Sequence, residues 1–88
     1  MDEEGRLRFL LDLAESLGIE VRRAPPGGAG WDTPGGALVR LGDKEMLFMD
    51  AAAPIAARIV AAAAALAGRR EIEQMFLPPE IREVIERA

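Results

Sequence analysis

A stretch dense in proline and glycine divides this chain of 88 residues and limits where regular structure can form. Residues 25–36 read PPGGAGWDTPGG, with three prolines and five glycines among twelve residues. Proline lacks a backbone donor and glycine pays the largest entropic cost of ordering, so such a segment does not hold a helix or a central strand. The sequence therefore predicts a loop here, with helices and strands confined to the residues on either side.

The residues before this loop predict one helix and one strand. Residues 3–17 carry leucines at helical spacing, with three acidic residues at the start and Gly18 at the position of a left-handed C-cap. Residues 19–23, IEVRR, alternate between apolar and polar side chains, which is typical of a short strand.

The residues after the loop predict a β-hairpin followed by a helix. Two apolar runs, residues 37–41 and 45–49, flank a Gly-Asp-Lys turn. An alanine-rich helix then extends to about Ala67, with Asp50 as its N-cap and Pro54 in its first turn. We expect this helix to lie across the sheet, because its small side chains allow close packing.

The end of the chain predicts a short helical pair. Residues 69–76 allow one or two helical turns, and Pro79 begins a last amphipathic helix. The predicted fold is a single α+β domain over residues 1–88, in the order α-β-β-β-α-α-α. It has a three-stranded, mainly antiparallel sheet, an N-terminal helix, a central alanine-rich helix and a C-terminal helical pair.

The composition removes most catalytic chemistry. The chain has no His, Cys or Tyr, so it excludes a Ser-His-Asp triad, thiol catalysis, disulfides and thiolate metal sites. We therefore predict no catalytic residues, no cofactor and no metal centre, and expect a protein that is not an enzyme. Without disulfides, so small a domain often gains stability by association.

The charge pattern argues against nucleic acid and membrane as partners. The net charge is −4, whereas nucleic-acid binding needs clustered cations. Both ends of the chain are acidic and the middle is basic. This pattern predicts either that the acidic ends of one subunit bind the basic middle of another, or that the charged faces are solvated. The acidic start does not resemble a signal peptide, and the apolar run 59–68 is too short to span a bilayer, which favours the cytoplasm.

The loop provides the first candidate site. Trp31 is predicted to clamp a ligand or partner, or else to fold back over the core. Asp32 and Asp50 are carboxylates near the sheet edge that would hold a ligand or a divalent metal, although Asp50 is equally placed to cap the following helix.

Two further surfaces are candidates for interaction with another protein. Phe76 and Leu77 are apolar between two charged helices, so they form either a docking element or a corner that plugs the core. Four basic residues are predicted to share the exposed face of the sheet, where they bind an acidic partner or are solvated: Arg22, Arg23, Arg40 and Lys44.

Much of the chain resembles a set of short uncharacterised bacterial proteins. The resemblance is carried by PGGALVRLGDKEMLFMDAAAPIAARIVAAAAALAG and FLPPEIREVIE, which match a helix, a glycine-led hairpin ending in Asp, an alanine-rich helix and a Leu-Pro-Pro segment. These motifs are structural, and the resemblance implies no activity.

A looser resemblance is to the first part of the zinc-dependent anti-repressor metallopeptidases, which also run helix, strand, hairpin and then a helix carrying HExxH. In the corresponding alignment, Ala62, Ala63 and Leu66 stand where the two histidines and the glutamate of the motif belong. The resemblance therefore concerns shape and implies no peptidase activity.

Together these features favour a cytoplasmic bacterial interaction module that dimerises or docks on another protein. The alternative hypothesis is a domain that binds a small ligand or a divalent metal through residues 25–36, with Asp32 and Asp50.

Overall fold

The computed structural model describes residues 1–24 and 34–88, and confirms the predicted α+β fold. Its helices are α1 (Glu3–Ser16), α2 (Ile55–Leu66), α3 (Arg70–Gln74) and α4 (Pro79–Arg87). Its strands are β1 (Ile19–Arg23), β2 (Gly36–Leu41) and β3 (Lys44–Met49), so the predicted element order is confirmed.

The ends of α1 follow from its sequence. The Asp2 carboxylate accepts a hydrogen bond from the Gly5 backbone N–H over 2.7 Å, which satisfies one of the free donors at the helix start. Glu3 and Glu4 lie in the first turn, at the positive end of the helix dipole. After the cap, Gly18 adopts a positive φ of 87° and turns the chain into β1.

The alanine-rich helix α2 begins later than predicted. It starts at Ile55, and Asp50 lies in a separate turn where its carboxylate accepts from the Ala52 backbone N–H over 2.9 Å. The assignment of Asp50 as the helix N-cap was therefore wrong. The physical reason is Pro54, whose ring disfavours helical backbone at the residue before it, so the helix does not extend back through residues 50–53.

The three strands form one sheet with β3 in the centre. β2 and β3 are the predicted antiparallel hairpin, and β1 pairs in parallel with the other side of β3, from Ile19 opposite Glu45 to Arg23 opposite Met49. The carboxyl ends of β1 and β3 therefore lie side by side at one edge of the sheet.

The helices pack on one face of this sheet. Each of five elements contributes one side chain that is almost completely buried: Leu10, Ile19, Leu47, Leu66 and Ile81. Within the described ranges no polar or charged residue is buried, so the core is held together by apolar packing alone.

The start of β2 passes directly beneath α2. A Cβ atom built on Gly35 would lie 2.3 Å from the Ala57 carbonyl oxygen, and one on Gly36 would lie 2.4 Å from the Phe48 carbonyl oxygen. Gly35 also has a positive φ of 92°. Only glycine fits here, and the small side chains of α2 let the helix come this close.

We expect Gly35→Ala to lower the free energy of unfolding by about 3 kcal/mol, because the added methyl group clashes with the α2 backbone and the φ angle is strained. Urea unfolding measures this loss.

The matched control is Gly42→Ala, where φ is 61° but a Cβ would meet nothing within 4 Å. Its cost should be only the conformational one, about 1–2 kcal/mol. Equal losses in the two variants would mean that the close approach of β2 and α2 contributes nothing.

Candidate functional site

The predicted loop site is only partly within the structure. Trp31 and Asp32 lie outside the described residues, so their roles stay predictions. Asp50 is half-buried and uses one carboxylate oxygen in its turn with Ala52. Among residues 1–24 and 34–88, no group of three acidic side chains is arranged to hold a metal ion.

The corner between α3 and α4 separates the two apolar residues that were predicted to act together. Leu77 is buried, with 7% of its surface exposed, and belongs to the core. Its assignment to an interaction surface was therefore wrong, because the chain turns it inward under α4. Phe76 points the other way and is completely exposed.

The position of this corner is fixed by hydrogen bonds. The Arg82 guanidinium donates to the Met75 carbonyl oxygen over 2.5 Å and to the Ile72 carbonyl oxygen over 3.4 Å. These carbonyls end α3, so Arg82 on α4 ties the two helices together beside Phe76. The phenyl ring thus projects from a segment whose backbone is held on one side by an arginine and on the other by buried Leu77.

The four basic residues of the sheet do not share one face. Residues that oppose each other in neighbouring strands project to the same side of the sheet, and side chains alternate between the two sides along each strand. The buried Leu47 on β3 marks the side that faces the helices. Arg40 and Arg23 therefore lie on the helix-covered side, whereas Arg22 and Lys44 lie on the other. The predicted common surface is wrong, because the alternation places neighbouring arginines on opposite faces.

Arg22 and Arg40 each bind a carboxylate. The Arg22 guanidinium donates to Glu20 over 2.7 Å, which lowers the pKa of that carboxyl group and raises the pKa of Arg22. Arg40 donates to Glu45 over 3.2 Å. Both arginine side chains are largely exposed, so these pairs contribute little to stability.

Glu45 has a second, stronger partner in Arg69, which follows α2. Two guanidinium nitrogens of Arg69 donate to the two Glu45 oxygens over 3.0 and 2.6 Å, and Nε donates to the Ala65 carbonyl oxygen over 2.8 Å. Hydrogen bonds from Arg69, followed by those from Arg40, lower the pKa of Glu45 from 4.5 to about 2. Arg69 therefore ties the end of α2 to β3 by a two-point ion pair.

A cleft opens between α1 and β1, at the edge where the parallel strands end. Its floor is apolar and is formed by Leu7, Leu11, Val21 and Met49, and its volume is about 220 Å³. The composition of this cleft was not anticipated, because it joins residues from four segments that are distant in sequence.

Three arginine residues line the same cleft, Arg22, Arg23 and Arg58, but the Arg22 side chain belongs to the other face of the sheet, where it pairs with Glu20. Arg58 is the only charged residue of α2, and its Nε donates to the Ala53 carbonyl oxygen over 3.2 Å. No hydrogen bond or ion pair links the Arg23 side chain to another described residue. We call this hollow, with its apolar floor and the side chains of Arg23 and Arg58, the arginine cleft. The lone charge of Arg58 on an otherwise apolar helix is a sequence signal that could have indicated a site here.

The arginine cleft continues along α1 into a second hollow of about 490 Å³, which shares Leu7, Leu11, Val21 and Arg58. The helix side of this extension carries carboxylates from Glu4, Asp12 and Glu15, together with Arg8. Among residues 1–24 and 34–88, no acidic side chain lines the arginine cleft itself. The charge along the groove therefore changes from basic at the strand ends to mixed along α1.

Comparisons of the chain with models of known protein families, with curated proteins and with solved structures found no match. The two resemblances drawn from sequence motifs therefore stay predictions. None of the described helices is long and apolar enough to cross a membrane.

We expect Arg69→Met to lower the free energy of unfolding by about 1–2 kcal/mol at pH 7, because it removes charge-assisted hydrogen bonds in a half-buried pair. A carboxyl group whose pKa is lower in the folded state than in the unfolded state stabilises the fold at pH values above its unfolded-state pKa. That stabilisation is lost as the pH falls from about 4.5 to about 2. Urea unfolding of both proteins across this range should show the difference shrinking.

The control is Arg40→Met, which removes the exposed partner of the same carboxylate. Its cost at pH 7 should stay below about 0.5 kcal/mol. A difference between wild type and Arg69→Met that is constant from pH 7 to pH 2 would contradict the assignment to Glu45.

Proposed function

We propose that this chain is a non-enzymatic interaction module that binds another protein molecule through the corner at Phe76. The observation that carries the proposal is the complete exposure of a phenyl ring between buried Leu77 and half-buried Met75. An aromatic ring is among the side chains that contribute most to protein interfaces, because it buries a large area at a low cost in conformational entropy.

The rigidity of the corner supports the proposal. Because Arg82 fixes the Met75 and Ile72 carbonyl groups, the Phe76 backbone is already ordered before a partner binds. A preordered anchor loses less entropy on association than a flexible one.

The charge around the corner indicates the kind of partner. The short helix α3 carries two exposed carboxylates, Glu71 and Glu73, and one exposed arginine, Arg70. The other nearby charges are engaged: Arg82 with the backbone, and Glu80 with the N-terminus and Arg6. An apolar pocket with a basic rim would complement this surface. A second copy of this chain and a different protein both remain within the proposal.

The absence of catalytic groups also supports a non-enzymatic role. The sequence offers no His, Cys or Tyr. The pKa shifts of Glu20, Arg22, Glu45 and Arg69 all favour the charged form of the group, whereas acid–base catalysis needs pKa values moved toward neutrality. We place this module in the cytoplasm, because a chain without cysteine contains no disulfide that would require an oxidising compartment.

We expect Phe76→Ser to abolish association while leaving the free energy of unfolding within about 0.5 kcal/mol of wild type, because the ring makes no contribution to the core. The first measurement is the mass in solution by light scattering over a concentration series. A complex that is lost in Phe76→Ser identifies self-association through the corner, and low salt should strengthen it.

A photo-crosslinking side chain at position 76 tests the case in which the wild type is a monomer. We expect a discrete adduct with one protein in the host cell, and none when the same group replaces Val60, which is half-exposed on α2. Leu77→Ala separates stability from binding, since it should cost about 2–4 kcal/mol. A monomer without a specific adduct at position 76 would overturn the proposal.

A further inference from the structure

We propose that the arginine cleft binds a small molecule with an anionic head, a carboxylate or phosphate, and an apolar tail. This site is separate from the Phe76 corner and does not depend on the proposed docking function. It rests on the joint presence of an open apolar floor and, at one end of the floor, two arginine side chains that form no ion pair with the described residues.

The head is assigned to Arg23 and Arg58. Arg22 is paired with Glu20, but Arg23 has no side-chain partner among the described residues, and Arg58 uses only Nε. The terminal nitrogens of Arg58 and the whole Arg23 fork therefore stay available for hydrogen bonds. A planar guanidinium matches the oxygens of a carboxylate or phosphate, and forms its strongest hydrogen bonds with charged acceptors.

The backbone around this end of the cleft has the same polarity. Ile55, the first residue of α2, lines the extension of the cleft together with Arg58, which lines both hollows, so the positive end of the helix dipole faces the groove on the Arg58 side. Of the carboxylates nearest in sequence, Glu20 is paired with Arg22 and Asp50 accepts a hydrogen bond from the Ala52 N–H. An anion here would thus meet donors and positive charge.

The tail is assigned to the floor formed by Leu7, Leu11 and Val21, which extends from the cleft into the larger hollow. That hollow of about 490 Å³ lies within the range of roughly 300–1,000 Å³ that is usual for ligand pockets. Leu7 is almost buried and Leu11 and Val21 are half-buried, so a tail would cover apolar surface that water now reaches.

The acidic side of the extension sets a limit on the ligand. Glu4, Asp12 and Glu15 line the part of the groove away from the strand ends, so a second anionic group at the far end of the tail would be repelled. The inferred ligand therefore carries its negative charge at one end only, as a medium-chain or aryl monoacid or monophosphate ester does.

The test uses the full chain labelled with ¹⁵N and four probes below their micellar concentrations: octanoate, octyl phosphate, acetate and octylammonium. We expect octanoate or octyl phosphate to produce saturable shifts of the amides of Leu11, Val21, Arg23 and Arg58. Acetate lacks the tail and octylammonium reverses the charge, so neither should saturate. The comparison of octanoate with octyl phosphate shows which head the arginines prefer.

Calorimetry on variants then tests the assignment of the head. Arg23→Gln and Arg58→Gln should each weaken binding of the preferred probe by about tenfold, because each removes charge-assisted hydrogen bonds. The matched controls are Arg70→Gln and Arg87→Gln, which lie outside the cleft and should leave binding unchanged. Arg23→Gln removes no hydrogen bond or ion pair to the described residues, so its unfolding curve should match wild type and confirm that a loss of binding is local.

Three results would overturn the proposal. One is the absence of saturable shifts with either anionic probe. Another is equal binding of octanoate and octylammonium, which would mean that only apolar contact is involved. The third is unchanged affinity in both Arg23→Gln and Arg58→Gln.

Discussion

The close passage of α2 over the first residues of β2 determines how the other elements are arranged. Gly35 and Gly36 leave no room for side chains beneath Ala57 and Ala61, so the helix and the strand approach almost to backbone contact. A helix this close to one edge of the sheet leaves space beside it over β1, and α1 occupies that space. Most of the large apolar side chains of the core come from the neighbouring elements, while α2 supplies four buried alanines in addition to Ile59 and Leu66.

The far end of α2 is held by a different kind of interaction. There Arg69 donates hydrogen bonds to the Ala65 carbonyl group and to the Glu45 carboxylate on β3. The helix is therefore held by close packing at its start and by an ion pair at its end. The two candidate surfaces lie beyond these anchors, the arginine cleft near the start of α2 and the Phe76 corner after its end. Each surface therefore projects from a part of the fold that is already fixed to the sheet.

Sequence patterns were sufficient for the elements and insufficient for their placement. The helical spacing of α1 and the Gly-Asp turn of the hairpin depend on neighbours in the chain, so both were predicted within a residue or two. The parallel pairing of β1 depends on a connection between distant segments, and no local pattern encodes it. The same limit applies to the sites: that Leu77 faces inward and Phe76 outward, and that Arg23 lies near Arg58, follows from tertiary packing alone.

The mixed pairing of the sheet also orders the events of folding. β2 and β3 are joined by a two-residue turn, so their contacts close a very short loop and form at little entropic cost. β1 reaches β3 only by closing the whole connection through β2, as the pairing of Ile19 with Glu45 shows. Contacts between distant residues are slow to form, so we expect the hairpin to form early and the parallel strand to be added late. The arginine cleft, which needs β1 in place, is accordingly among the last features of the molecule to be assembled.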